Sequence, residues 1–142
     1  MHWLHNNKEM KSHDDFSDDV VGFIYKITYT NNKVYIGKKL IRSLVRVKPT
    51  KAQLAIRKNY KRMEWKNKPF AKYNGSSKES VGLTIAKKEI IELCSDKINL
   101  TYAEMKHQVM CNVLTDDTYI NANIAGKFFR GKIKSEVIDK GL

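Results

Sequence analysis

No apolar run in the 142-residue chain approaches the ~18 residues that a membrane span needs, so no transmembrane helix or membrane partner is expected. The opening residues, Met1-His2-Trp3-Leu4-His5-Asn6-Asn7, lack the apolar segment of a secretory signal, and a cytoplasmic location is the expectation. Cysteine is scarce. Cys94 and Cys111 have no CxxC pairing and no histidine at metal-finger spacing, which argues against a zinc site and reads as two buried thiols without a disulfide. Repeats and low-complexity tracts are absent, and the length allows one modest core rather than two ordinary domains. Acid is missing where base is densest: Lys33 to Lys72 holds fourteen Lys or Arg and one acid, Glu64, giving that stretch +13 against a whole-chain net of +12. Such a segment neutralises phosphates and releases counterions, which favours a nucleic-acid partner; a solvated face or attraction to an acidic membrane would share the charge.

Residues 1–19 carry Asp14, Asp15, Asp18 and Asp19 with few periodic apolar positions, and are expected to form a flexible acidic arm ahead of a domain over 20–142. Phe23-Ile24-Tyr25-Lys26-Ile27-Thr28-Tyr29, then Asn31-Asn32, then Lys33-Val34-Tyr35-Ile36-Gly37 reads as a β-hairpin. Lys51 to Glu64 supports a helix, Trp65 to Ser80 a loop, and Ile85 to Cys94 a third strand. The best helix is placed from Leu100 to about Leu114, with Thr101 and Glu104 as a capping box and Met105, Val109, Asn112 and Val113 facing the sheet. The fold class is α/β of the α+β type, a small, mainly antiparallel three-stranded sheet flanked by helices.

Gly22-Phe23-Ile24-Tyr25 and Val34-Tyr35-Ile36-Gly37, two short motifs at hairpin spacing before a basic segment and an acid-bearing helix, resemble the GIY-YIG nuclease family. The likeness covers roughly residues 22 to 130. Homing endonucleases and some restriction enzymes are members, and Trp65 to Ser77 is similar to small stand-alone members from bacteriophages, which would place the chain in a host cell's cytoplasm. Glu104 sits where the family has its metal-binding glutamate, and Asn123, in Asn-Ile-Ala, resembles the family's closing asparagine. The family's arginine, on a first helix about eight residues past the motif glycine, has no direct counterpart, because Val45 is there. Arg46 is the first candidate and Arg42 the reserve.

The resemblance implies Mg²⁺-dependent hydrolysis of double-stranded DNA, with Mn²⁺ as a substitute cofactor and 5′-phosphate and 3′-hydroxyl products. Glu104 would hold one hard cation, Tyr25 would orient or deprotonate the attacking water, Tyr35 and Lys38 would shape its surroundings, and Arg46 would bind the scissile phosphate. Lys39, Arg42, Lys58, Lys61, Arg62 and Lys72 would track the DNA backbone; Ser76, Ser77, Lys127 and Arg130 would add contacts. No second convergent carboxylate is visible in the sequence. One site cuts one strand, so a double-strand break would need a homodimer or two visits.

Hairpin register tests the motif. A two-residue Asn31-Asn32 turn would divide Tyr25 and Tyr35 between opposite faces; a three-residue loop from Asn31 to Lys33, pairing Tyr29 with Tyr35, would unite them. Both tyrosines could instead be plain core aromatics and Glu104 a plain cap. The alternative function is a non-catalytic basic nucleic-acid-binding protein.

Overall fold

The computed structural model describes residues 1–134. In chain order its strands are β1 (Trp3–His5), β2 (Lys8–Met10), β3 (Gly22–Tyr29), β4 (Val34–Leu40), β5 (Arg42–Val47), β6 (Arg62–Asn67), β7 (Ile85–Cys94), β8 (Asn123–Ile124) and β9 (Phe128–Phe129). Its α-helices are α1 (Lys51–Ile56) and α2 (Lys97–Met110). The main sheet has five strands in the order β2-β1-β7-β3-β4, not the three expected; β5 and β6 form a separate two-stranded ribbon.

The two extra strands come from the segment expected to be a flexible arm. Asn6 and Asn7 take φ of 51° and 67° and form the two-residue turn that pairs His5 with Lys8. Asparagine tolerates that left-handed geometry, which tight hairpins require. β1 then runs parallel to β7, Trp3 beside Lys88. Trp3 is fully buried, its rings against Phe23 and Tyr25 and its indole N–H donating to the Phe70 carbonyl at 3.0 Å. A large aromatic bringing this much apolar area to the core holds the terminus in place, whatever the acidity that follows it.

In the β3–β4 hairpin, Ile27 pairs with Tyr35 and Tyr25 with Gly37. The loop is Thr30 to Asn32: the Tyr29 N–H donates to Lys33 O, and Asn32 is left-handed with φ 66°. The loop therefore has three residues as expected, but it lies one position earlier and Tyr35 faces Ile27 rather than Tyr29. A two-residue shift preserves parity, so Tyr25 and Tyr35 still share a face. β7 pairs antiparallel with β3, with irregularities beside Tyr25 and Tyr29.

One sheet face buries Trp3, Phe23, Tyr25, Ile27 and Tyr29 under Phe16, Phe70 and the segment bearing Tyr73 and Leu83. The other buries Ile24, Ile36 and Cys94 under Leu100 and Ala103 of α2 and under Val113, Leu114 and Ile124. α2 starts earlier than expected, because the Asp96 carboxylate accepts from the Asn99 N–H at 2.7 Å and caps it. Leu100, Ala103 and Gln108 face inward and Met105 packs against the same core, whereas Val109 is exposed and the buried Val113 lies past the end of the helix at Met110.

β4 is a sheet edge, and its outward N–H groups have partners. The Val34 N–H donates to Thr118 O, the Ile36 N–H to Asn121 Oδ1, and Asn121 Nδ2 and Gln108 Nε2 both donate to Ile36 O. This segment closes the edge against pairing with another strand. It also brings the residues after Thr118 beside the hairpin.

Candidate active site at the edge of strand β4

Tyr25 of β3 and Tyr35 of the adjacent β4 have their rings 6.1 Å apart, and the Tyr25 hydroxyl is 3.4 Å from that of Tyr73. Tyr25 is fully buried, whereas Tyr35 is half-buried and reaches a cavity. Gly37, directly across from Tyr25, is what allows this packing. A Cβ there would lie 2.5 Å from the Tyr25 hydroxyl and 3.0 Å from the Tyr35 ring. Gly22 plays the same part on the other face, where a Cβ would meet Leu100 Cδ2 at 2.6 Å. Both motif glycines are thus positions of close approach.

Glu104 reaches this cluster from the opposite face of the sheet. The site was expected on one shared face; instead α2 packs behind the sheet and Glu104 meets Tyr35 around the edge of β4. The two line one cavity of about 410 Å³ with Ser76, Ser77, Lys78, Glu79, Gln108 and Asn123. An edge strand permits this, since no further strand stands between the two faces. Burial raises the Glu104 carboxyl above its ordinary value, opposed by the Lys38 charge and by the Lys38 backbone N–H. The Lys38 ammonium donates to Thr101 Oγ1 at 2.8 Å. Thr101 and Glu104 are therefore engaged with Lys38, and the capping role belongs to Asp96.

Burial, followed by the neighbouring Tyr73, pushes the Tyr25 hydroxyl far up. Tyr35 is also raised, by burial first and then by the Glu104 charge, with the Ser76 hydroxyl pulling both tyrosines back. The cations expected to ease Tyr25 ionisation do not offset its burial. Lys39 lies nearer to Tyr73, its ammonium 4.8 Å from the ring centre.

The arginine candidates are elsewhere. No helix follows the motif glycine; the chain continues through β4 into β5, and Lys51 to Glu64 is helical only over Lys51–Ile56 because Arg62–Asn67 pairs with β5 as a strand. Arg46 is exposed on the ribbon opposite Met63. The Arg42 guanidinium donates to the carbonyls of Ser17, Val20 and His13 at 2.7–2.9 Å, which ties it to the N-terminal segment. Arg130 donates to the carbonyls of Asn121, Tyr119 and Val113 and closes the C-terminal turn rather than projecting outward. Asn123 lines the Glu104 cavity while accepting from the Gly126 N–H; Lys127 is exposed beyond it. Lys58, Lys61 and Lys72 are exposed, and Arg62 pairs with Glu64 at 2.6 Å.

Sequence reasoning passed over three residues here. Tyr73 lies inside the segment expected to be a loop and was given no role of its own. Glu79 gives the cavity a second carboxylate, held by the Ser77 hydroxyl at 3.1 Å. Lys88 is buried with no acid paired to it among the described residues: its ammonium donates to Tyr73 O at 2.7 Å and Asn74 Oδ1 at 3.1 Å, and lies 4.5 Å from the Trp3 ring centre. A lysine in the middle of a strand was the only sign of it.

The family model described as "Putative endonuclease segE, GIY-YIG domain" matches residues 3–124. The chain belongs to the GIY-YIG nuclease family. No curated protein and no solved structure matches it. The match begins at Trp3, so it includes the first sheet strand, and it ends at Ile124, just past Asn123. Membership makes this a nuclease-type domain, with nucleic acid as the substrate class its family implies. Among the described residues no helix is long and apolar enough to cross a membrane.

Proposed function

We propose that the chain is a divalent-metal-dependent endonuclease that hydrolyses phosphodiester bonds in double-stranded DNA, with Mg²⁺ as the working ion and Mn²⁺ as a substitute. The observation that carries this reading is the single cavity in which Tyr35 and Glu104, coming from opposite faces of the sheet, line the same wall. Its lining offers oxygen donors, the carboxylates of Glu79 and Glu104, the hydroxyls of Ser76, Ser77 and Tyr35 and the amides of Gln108 and Asn123, with the Lys78 ammonium beside them. Such a set suits a hard cation that keeps several waters, with Glu104 its principal ligand and Glu79 beside it. His107 is engaged with Glu92 at 3.3 Å and stays outside the set. A bound Mg²⁺ would supply polarisation of the phosphate and a lowered proton affinity for water.

The chain's own groups divide the remaining work. Tyr35, half-exposed to the cavity, orients the attacking water as a hydrogen-bonding phenol, since burial and the Glu104 charge both oppose its ionisation. Tyr25 is a positioning residue: sealed between Gly37 and Tyr73, it fixes the Tyr35 ring and does not act as the base. Lys38 and Lys39 take the place expected for Arg46, Lys38 beside Glu104 and Lys39 on the tyrosine side, where they neutralise the scissile phosphate as point charges. Products would carry 5′-phosphate and 3′-hydroxyl ends.

The rival reading, a basic binder without chemistry, draws support from the complete burial of Tyr25. Supercoiled plasmid incubated with protein and Mg²⁺ separates the two. Wild type should yield nicked circles, Glu104→Ala should lose about 10²–10³-fold in rate, and Tyr25→Phe should lose less, because a positioning hydroxyl is removed rather than a ligand. Equal nicking by all three proteins, or none by wild type with any common divalent ion, would overturn the proposal.

A further inference from the structure

The β5–β6 ribbon stands apart from the main sheet, and nothing in the active-site chemistry accounts for it. Its register sets Leu44 beside Trp65 and Arg46 beside Met63, so these four share one face. Trp65 is 61% exposed, Met63 47% and Leu44 43%. The other face carries Glu64 between Arg62 and Lys66, paired with both. From Arg42 to Lys68 there are ten Lys or Arg and one acid, with Lys48, Lys51, Arg57, Lys58 and Lys61 around the ribbon's tip. An exposed apolar face with so cationic a surround is a poor dimer interface, since a second copy would bring like charge against like. It complements a polyanion with apolar features inside its groove.

The surface from the ribbon to the active site is continuous. Leu44 and Trp65 line a hollow with Val21, Asp96 and Lys97. Lys97 also lines the next hollow, with Lys38, Lys39, Tyr73 and Thr101. Those residues border the tyrosines and Glu104. Six-residue strands at ~3.4 Å per residue give a ribbon about 20 Å long. A two-stranded ribbon fits the DNA major groove, which is about 12 Å wide.

The geometry points to the β5–β6 ribbon as a major-groove reading element: its Leu44/Arg46/Met63/Trp65 face lies in the groove of duplex DNA a few base pairs from the cut, while the cations of its tip hold the flanking phosphates. This inference rests on duplex DNA being the substrate. Arg46 is placed to donate to guanine, the commonest specific major-groove contact, and Trp65, Met63 and Leu44 to meet thymine methyl groups. The ribbon thereby gives this small nuclease a source of base preference, displaced to one side of the cleaved bond.

The test combines gel-shift affinity on a short linear duplex with dimethyl sulfate protection of guanine N7, for wild type, Trp65→Ala, Arg46→Ala and Lys87→Ala. Wild type should protect guanines to one side of its cutting position. Trp65→Ala and Arg46→Ala should each weaken binding about tenfold and remove that protection. Lys87→Ala, which removes a charge on β7, should do neither. Both substituted ribbon residues are exposed, and the second variant guards against a folding defect in the first. Unchanged affinity and unchanged guanine protection in both would overturn the inference even if wild type nicks plasmid. If wild type protects guanines through Trp65 and Arg46 but nicks nothing, the ribbon assignment stands and the nuclease reading falls.

Discussion

As the proposed cation ligand, Glu104 carries two opposed demands in one side chain. It must be ionised to hold a cation, yet the cavity wall disfavours its charge, and its carboxyl is raised above the ordinary 4.5. The folded state thus holds the Glu104 proton more tightly than the unfolded chain does. The stability contributed by this group is present below 4.5 and lost as pH rises through the raised value. Protons should compete with the metal over the same window, so apparent Mg²⁺ affinity should fall as pH drops toward that value, beginning at higher pH than an exposed glutamate would show. Metal titrations of cleavage rate at several pH values would check this; a pH-independent metal requirement would count against Glu104 as ligand. Gly37 makes a second prediction. Gly37→Ala would press a methyl group onto a tyrosine that has nowhere to move, costing about 1–3 kcal/mol and lowering activity by tilting Tyr35. Thermal melting and nicking rates read both effects. The tyrosines and their glycine were legible because their residue types and spacing are local, and Glu104 because it resembles the family's glutamate at the start of a helix. Lys88, Tyr73 and Glu79 were not, since each acquires its role from a segment more than ten residues away along the chain.

At the level of elements, the hairpin was legible in kind and in parity, although its loop starts one residue earlier. The face on which Tyr25 and Tyr35 meet depends on parity alone, which explains why the prediction survived the shift. The N-terminal strands were missed because three-residue strands carry almost no periodic signal. The Asn6-Asn7 turn and the lone Trp3 were the available clues. Their structural weight is measurable: Trp3→Ala should destabilise the fold by about 3–5 kcal/mol, the usual range for truncating a buried tryptophan. Denaturant unfolding with an unchanged slope would show it, and a loss under ~1 kcal/mol would restore the idea of a dispensable arm. α2 was found but starts three residues earlier than expected and ends at Met110, and β6 was divided between an expected helix and an expected loop. Helix propensity in Lys51–Glu64 was overridden by pairing of Arg62–Asn67 with β5.

The whole molecule places the proposed site at a sheet edge rather than on a face. β4 carries Tyr35 and Lys39 toward one side and Lys38 toward the other, and closure of the edge by Asn121 and Gln108 holds the strand where Glu104 can reach around it. The basic charge then extends from this edge along Lys97 to the ribbon, so the proposed cutting site and the proposed groove-reading element occupy one continuous surface. The central claim is that Glu104 serves catalysis at some cost to the fold. The most direct measurement compares wild type and Glu104→Gln, recording the initial rate of plasmid nicking in Mg²⁺ and the metal-free melting temperature at neutral pH. Nicking should fall about 10²–10³-fold while the melting temperature stays level or rises, because an isosteric neutral amide removes a desolvated charge. Undiminished nicking by Glu104→Gln, or lost nicking only alongside a fall in melting temperature, would contradict it.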